Sequence, residues 1–205
     1  DLSSLLCKSN VGCNVNDVCI NHLFYADDAV LMAPSPDALQ KLIDICELFA
    51  SENEMTYNAK KTVCMNIMPH KFNNVNVPDM YLNGKVFKCV TEQKYLGIFI
   101  SREFSDNSDI TRQIHSTYCR GNVLISTFRK CSNEVTVKLF ISFCSNLYYS
   151  SLWSSYRKDV FNRLCVAYNN VFRMLMGLDK RCSISNVLVQ NNVDGIHALM
   201  RKNCI

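Results

Sequence analysis

The sequence predicts an α+β fold, and three observations carry that prediction. Residues 13–33 and 81–100 hold short β-branched and aromatic runs separated by turn residues, which read as strands. Residues 36–50 repeat apolar side chains at the 3.6 period of one amphipathic helix. From about residue 105 onward the pattern is helical throughout. Strands with one packed helix come first, and helices alone follow.

The elements follow in order. Leu2, Leu5 and Leu6 have helical spacing, as though the chain were entered part-way along a helix, and Gly12 ends that pattern. Asn16-Asp17 is a turn that joins a short strand at 13–15 to a longer one at 18–25. Ser35 is placed as a helix N-cap with Pro36 at the first helical position. Leu39, Leu42, Ile43, Cys46, Phe49 and Ala50 then face inward, while Asp37, Gln40, Lys41, Asp44 and Glu47 take the wet side. Asn58-Ala59-Lys60-Lys61-Thr62 leads into an alternating strand at 63–67, and the Asn-rich stretch 69–78 reads as a surface loop. Asn83-Gly84 between Tyr81-Leu82 and Lys85-Val86-Phe87 is a strong two-residue hairpin signal. Residues 95–100 read as one further strand, in which Gly97 marks a bulge or a close backbone approach.

The strands end near Ser101, so the expected division is 1–104 and 105–205. Residues 106–109 supply an acidic first turn, and Ile110, Ile114, Tyr118, Ile125 and Phe128 form an inward stripe opposite Arg112, Arg120 and Arg129. Residues 134–152 and 157–178 give two more helices, the second stopped by Gly177, and a shorter one covers 183–201. Tyr148, Tyr149, Trp153 and Tyr156 fit either a base-stacking platform or a core, and their helical, uncharged setting favours the core.

Composition narrows the class. The 205 residues are 48% hydrophobic and 20% charged, as in a soluble globular protein with ample material for a core. Twelve cysteines are scattered without a Cys-x-x-Cys pair or matching His spacing, which argues for free thiols and against a zinc site. With no Asn-x-Ser/Thr sequon and no signal sequence, the expected setting is intracellular, cytoplasmic or nuclear, rather than secreted. The longest uncharged run, 139–156, contains six Ser and one Asn and reads as a buried helix rather than a membrane span. Residues 1–60 carry nine acids and three bases, a net −6, and residues 61–205 carry nine acids and nineteen bases, a net +10. A basic portion after an acidic one suits a polyanionic ligand, or is an ordinary solvated surface.

The acidic portion contains Phe24-Tyr25-Ala26-Asp27-Asp28, set between the apolar runs 19–23 and 29–33. Neither strand can bury these acids, so they belong at a tight turn. Adjacent carboxylates repel one another, and a divalent cation with a preference for hard oxygen relieves that repulsion. The plain alternative is a hydrophilic turn, since Asp is a common turn residue. His22, on an apolar strand beside the hairpin, reads as structural rather than as a ligand.

Three separated features agree: the Phe24 to Asp28 hairpin, the Asn58 to Thr62 phrase and Lys94-Tyr95-Leu96-Gly97. In this order and spacing they resemble the third, fourth and fifth palm motifs of reverse transcriptases from non-LTR, LINE-type retrotransposons. The helical remainder is similar to those enzymes' thumb and downstream segment. The resemblance implies a partial right-hand polymerase palm, an antiparallel sheet with a packed helix, over residues 1–104, and a thumb-like region over 105–205.

The resemblance also implies roles. Asp27 would bind both catalytic magnesium ions, with Asp28 a nearby acid of lesser or indirect metal role. Tyr25 and Ala26 would lie beside the primer end and the incoming deoxynucleoside triphosphate. Lys61 would sit near the triphosphate, or else be a strand-edge surface lysine. Tyr95, Leu96 and Gly97, with the Asn83-Gly84 hairpin, match the primer-grip region, where glycine lets a nucleic-acid backbone come close, or else Tyr95 and Leu96 serve only as a sheet strand. Arg112, Arg120, Arg129 and Lys130 are candidates for phosphate contacts with the RNA template and DNA primer, while each taken singly is better read as part of a solvated helix face. The first palm carboxylate, the fingers and the Gly-rich second motif belong before Asp1 in the family order. The expectation is therefore a C-terminal fragment of an RNA-directed DNA polymerase, inactive by itself. A degenerate relic with at most nucleic-acid binding activity is the second reading.

Overall fold

The computed structural model describes residues 1–67 and 78–203. It is a mixed α and β protein with short, mostly antiparallel strand pairs and, among the described residues, seven α-helices. Of the Asn-rich stretch expected to form a loop, all but Pro78 lies outside the described residues. Backbone contacts divide the chain into two compact units, Asp1–Thr91 and Glu92–Ile205.

The first unit opens with α1 (Leu2–Lys8), capped by the Asp1 carboxylate, which accepts from the Ser3 N–H. Two antiparallel hairpins follow. In the first, β1 (Cys13–Val15) pairs with β2 (Val18–Ile20) across Asn16-Asp17, both at positive φ as a two-residue turn requires. In the second, β3 (His22–Tyr25) pairs with β4 (Asp28–Leu31). The sequence suggested one strand over 18–25, but it breaks at Asn21. That side chain is buried and donates to the carbonyls of Leu6 and Val11, both at 2.7 Å, so it ties the hairpins to α1. Gly12 lies so close to Asn21 that a Cβ there would be 2.7 Å from the Asn21 Cβ.

Helix α2 (Pro36–Glu52) starts as the sequence requires, with Ser35 accepting from the Ala38 N–H and Pro36 in the first turn. Its buried stripe, Leu42, Ile43, Cys46 and Ala50, packs against α1, β4 and the strand β6 (Tyr81–Leu82). Two small cores result. Leu6, Leu42 and Cys46 form one, and Ile43, Met80, Leu82 and Phe87 form the other. β6 turns through Asn83-Gly84 into β7 (Lys85–Val86), the hairpin the sequence predicted, with both turn residues at positive φ. The strand β5 (Val63–Cys64) pairs in parallel with β8 (Lys88–Cys89).

In the second unit, residues 95–100 are not one strand. β9 (Glu92–Tyr95) and β10 (Ile98–Ser101) form an antiparallel hairpin whose turn is Leu96-Gly97, at φ 45° and 91°. Gly97 is thus a turn residue, and two consecutive left-handed residues are what a tight hairpin turn uses. The long helix α3 (Asn107–Phe128) packs against α5 (Lys158–Leu175), and α4 (Asn133–Cys144) closes the core. Phe140 lies at its centre, with its ring centroid 4.9 Å from Tyr168 and 4.8 Å from Phe172. Gly177, at φ 65°, follows α5 as the predicted stop. α6 (Ile184–Gln190) and α7 (Ile196–Asn203) replace the single weak helix expected over 183–201.

The run 139–156 is also not one helix. α4 ends at Cys144, and the chain turns through a short 3-10 segment, Ser150–Leu152. Side chains of α3 and its N-terminal turn hold this connection in place. Asp106 accepts from the N–H groups of Ser154 and Ser155 at 2.8 and 2.7 Å, and Asn107 accepts from the Arg157 N–H at 2.9 Å. Arg120 Nη1 donates to the Phe143 carbonyl at 3.1 Å. A loop whose backbone groups are satisfied in this way needs no helix.

Candidate active-site hairpin

The register Tyr25↔Asp28 leaves Ala26-Asp27 as a two-residue turn. Ala26 takes φ 52°, a left-handed conformation that costs an L-residue about 1 kcal/mol. The flanking ladder from His22↔Leu31 to Tyr25↔Asp28 enforces it. Asp27 therefore stands at the tip and Asp28 opens β4, so the two carboxylates project from consecutive positions of one rigid turn.

All of Tyr25, Ala26, Asp27 and Asp28 are exposed, Tyr25 to 64%. Among the described residues, neither carboxylate makes a hydrogen bond or ion pair, so their oxygens are available to a ligand. Hard, anionic oxygens suit magnesium, which is commonly held by one or two carboxylates with water and substrate phosphates completing its shell. The pair fits such an ion. Among the described residues, no group of three or more His, Cys, Asp or Glu side chains is gathered for a metal.

His22 supports the hairpin. One ring nitrogen lies 2.8 Å from Ser3 Oγ and the other 2.6 Å from Asn21 Oδ1, and the ring packs on Phe24. Lys61 lies on a separate turn organised by Asn58, whose backbone carbonyl accepts from the Lys61 N–H at 3.0 Å. Its ammonium is exposed and makes no ion pair among the described residues.

The other predicted site residues fall in the second unit. Tyr95, Leu96 and Gly97 form the β9–β10 turn. Arg112 is committed internally, its Nε donating at 2.7 Å to Asp109. Arg120 spans loop carbonyls, whereas Arg129 and Lys130, just beyond α3, stand exposed. Sequence reasoning missed Asp109, which is 2% exposed and accepts from three donors: the Phe99 N–H, Arg112 and the Trp153 indole. The available signal was Asp109, Gln113 and Thr117, spaced by four on the helix beside the apolar stripe.

The Tyr148, Tyr149, Trp153 and Tyr156 group divides. Trp153 is in the core at 8% exposure, but Tyr148 and Tyr149 are 64% and 45% exposed and Tyr156 is near the surface. The helical setting that favoured burial ends at Cys144, so the expectation of a buried cluster holds for Trp153 and is corrected for the tyrosines.

Against known proteins, part of the chain is similar to a reverse transcriptase. The chain is 30% identical over 127 residues, 57% of its length, to the RNA-directed DNA polymerase from mobile element jockey of Drosophila funebris. The chain spans 13% of that protein's length. No family model and no solved structure matches the chain. Among the described residues, no helix is long and apolar enough to cross a membrane.

Proposed function

We infer that the chain is the C-terminal palm and thumb portion of the reverse transcriptase of a non-LTR retrotransposon, with residues 1–104 as palm and 105–205 as thumb. The observation that carries this reading is the two-residue turn that sets Asp27 and Asp28 side by side, exposed and unpaired, at the end of a strand ladder. The relation to the jockey polymerase supports the class of chemistry.

Asp27 is the principal ligand of magnesium, and Asp28 is an adjacent acid that supports it. The chemistry such ions supply when bound is activation of a primer hydroxyl and neutralisation of the departing pyrophosphate. Tyr25 and Ala26 border the primer end and the incoming deoxynucleotide, and the exposed Lys61 ammonium attends the triphosphate. The Tyr95-Leu96-Gly97 turn meets the primer backbone. Of these four cations, Arg129 and Lys130 remain unpaired among the described residues and take the template and primer phosphates, since Arg112 and Arg120 already serve the protein's own acceptors.

Two carboxylates from one turn do not complete a two-metal site, so the 205-residue chain by itself is inactive. Primer extension on an RNA template with magnesium and deoxynucleotides tests both statements. The chain alone gives no product. A polymerase that joins it to the upstream portion of a related reverse transcriptase extends the primer, and Asp27→Ala abolishes extension. Synthesis by the isolated chain contradicts the inactivity, and synthesis that survives Asp27→Ala contradicts the role of the hairpin.

A further inference from the structure

Resting on that reading, we propose that Tyr148 and Tyr149 form a rigid stacking step for the bases of an unpaired nucleic-acid strand. The two rings stand 6.5 Å apart at 51° on a loop where both are exposed, Tyr148 to 64% and Tyr149 to 45%. Tyr149 adopts φ 67°, a strained conformation for a bulky side chain. Such strain persists only where surrounding structure over-determines it, and here the chain is held on both sides of Tyr149.

Asp106 holds the Ser154 and Ser155 amides, Asp109 holds the Trp153 indole, and Arg120 holds the Phe143 carbonyl. On the other side the edge of the Tyr149 ring, at Cε2 and the hydroxyl, faces Gly97. A Cβ added to Gly97 would sit 3.5 Å from Tyr149 Cε2, within ordinary contact. The Tyr149 ring thus has Gly97 near one edge and stays 45% exposed, and the neighbouring Tyr148 ring is 64% exposed. Rigid aromatic rings cost little conformational entropy when they bind, and every base offers a π-face to them.

The occupant follows from charge. Residues 92–205 carry fifteen basic and eight acidic side chains, a net +7, which suits a polyanion. Lys94 is exposed on the strand that leads into the Leu96-Gly97 turn. An apolar or acidic peptide would use neither the planar faces together with the cations, nor the repeated spacing of bases. Unpaired nucleotides use both.

Fluorescence anisotropy of the full chain with a labelled oligothymidylate, and with a blunt duplex of equal length, tests the proposal. Tyr148→Ala/Tyr149→Ala weakens single-strand binding by roughly ten-fold or more, the worth of a stacked base. It leaves duplex binding and the salt slope unchanged, because stacking releases no counterions. Tyr148→Phe/Tyr149→Phe keeps single-strand affinity within about two-fold, since the π-face remains. Tyr148→Ala alone, at the more exposed ring, gives a smaller loss without disturbing the fold. Equal single-strand affinity in wild type and both alanine variants overturns the stacking step and leaves the polymerase reading standing. Absence of any binding by the wild type at low salt overturns both.

Discussion

The indole Nε1–H of Trp153 donates to the Asp109 carboxylate at 2.9 Å, across 44 residues of sequence. The same carboxylate accepts from Arg112 and from the backbone of Phe99. One buried acid thus joins α3, the β9–β10 hairpin and the loop that presents the tyrosines.

Asp109→Ala leaves the Arg112 guanidinium and two N–H donors without their acceptor. Breaking a buried, hydrogen-bonded charge pair costs about 3–5 kcal/mol. Equilibrium denaturation is expected to show a loss in that range, and a loss below about 1 kcal/mol would contradict the hub. Trp153→Phe removes a single donor and costs less.

Gly121 sits where α3 and α5 touch, and a Cβ there would lie 2.5 Å from Val171 Cγ1. Alanine is the better helix former by about 1 kcal/mol. Overpacking costs about 1–3 kcal/mol and wins at this position. Gly121→Ala is therefore expected to lower the unfolding midpoint, and Val171→Ala in the same chain to restore part of the loss. A stabilised Gly121→Ala variant would show that the helices part freely.

Alkaline pH acts on the same core. Burial pushes the Tyr168 hydroxyl up to about 12 from 10.0 and the Cys144 thiol up to about 11 from 9.0. Both groups keep their protons longer when folded than when unfolded. Their stabilisation is whole below pH 9 and is lost as the pH rises through the folded values. Thermal midpoints are expected to fall from about pH 9 to about pH 12. In Tyr168→Phe the fall is shallower at its alkaline end, because the Tyr168 contribution is gone while Cys144, Cys46, Cys64, Cys165 and Tyr57, all pushed up by burial, still contribute. That variant also costs about 1–2 kcal/mol at neutral pH, because the Tyr168 hydroxyl bridges Ser145 and the Asp194 carbonyl.

At the hairpin tip, Ala26→Gly relieves a left-handed alanine. The gain is about 1 kcal/mol or less, because glycine also loosens the unfolded chain. A variant less stable than wild type would contradict the turn geometry.

These residues show how much could be read from the sequence. The Asp27-Asp28 hairpin, the Ser35-Pro36 helix start and the Asn83-Gly84 turn depend on neighbours a few positions away, and local pattern reaches that far. Gly97 misled because a Leu-Gly turn between apolar residues has the appearance of a strand interior. Residues 139–156 misled for a different reason. Their hydropathy resembles a helix, yet side chains from α3, more than twenty positions away, satisfy the loop backbone and leave Tyr148 and Tyr149 outside. The parallel β5–β8 pair likewise joins strands far apart in sequence, which no local signal announces.

The proposed polymerase role requires the Asp27-Asp28 tip to hold a divalent metal. Titration of the chain with manganese(II), followed by paramagnetic broadening of backbone amide resonances, tests it most directly, since manganese shares magnesium's preference for carboxylate oxygen. Broadening is expected first at Tyr25, Ala26, Asp27, Asp28 and Ala29, and Asp27→Asn/Asp28→Asn removes it while leaving the rest of the spectrum in place. Broadening that starts elsewhere, or that persists at the tip of the doubly substituted chain, would contradict the metal site.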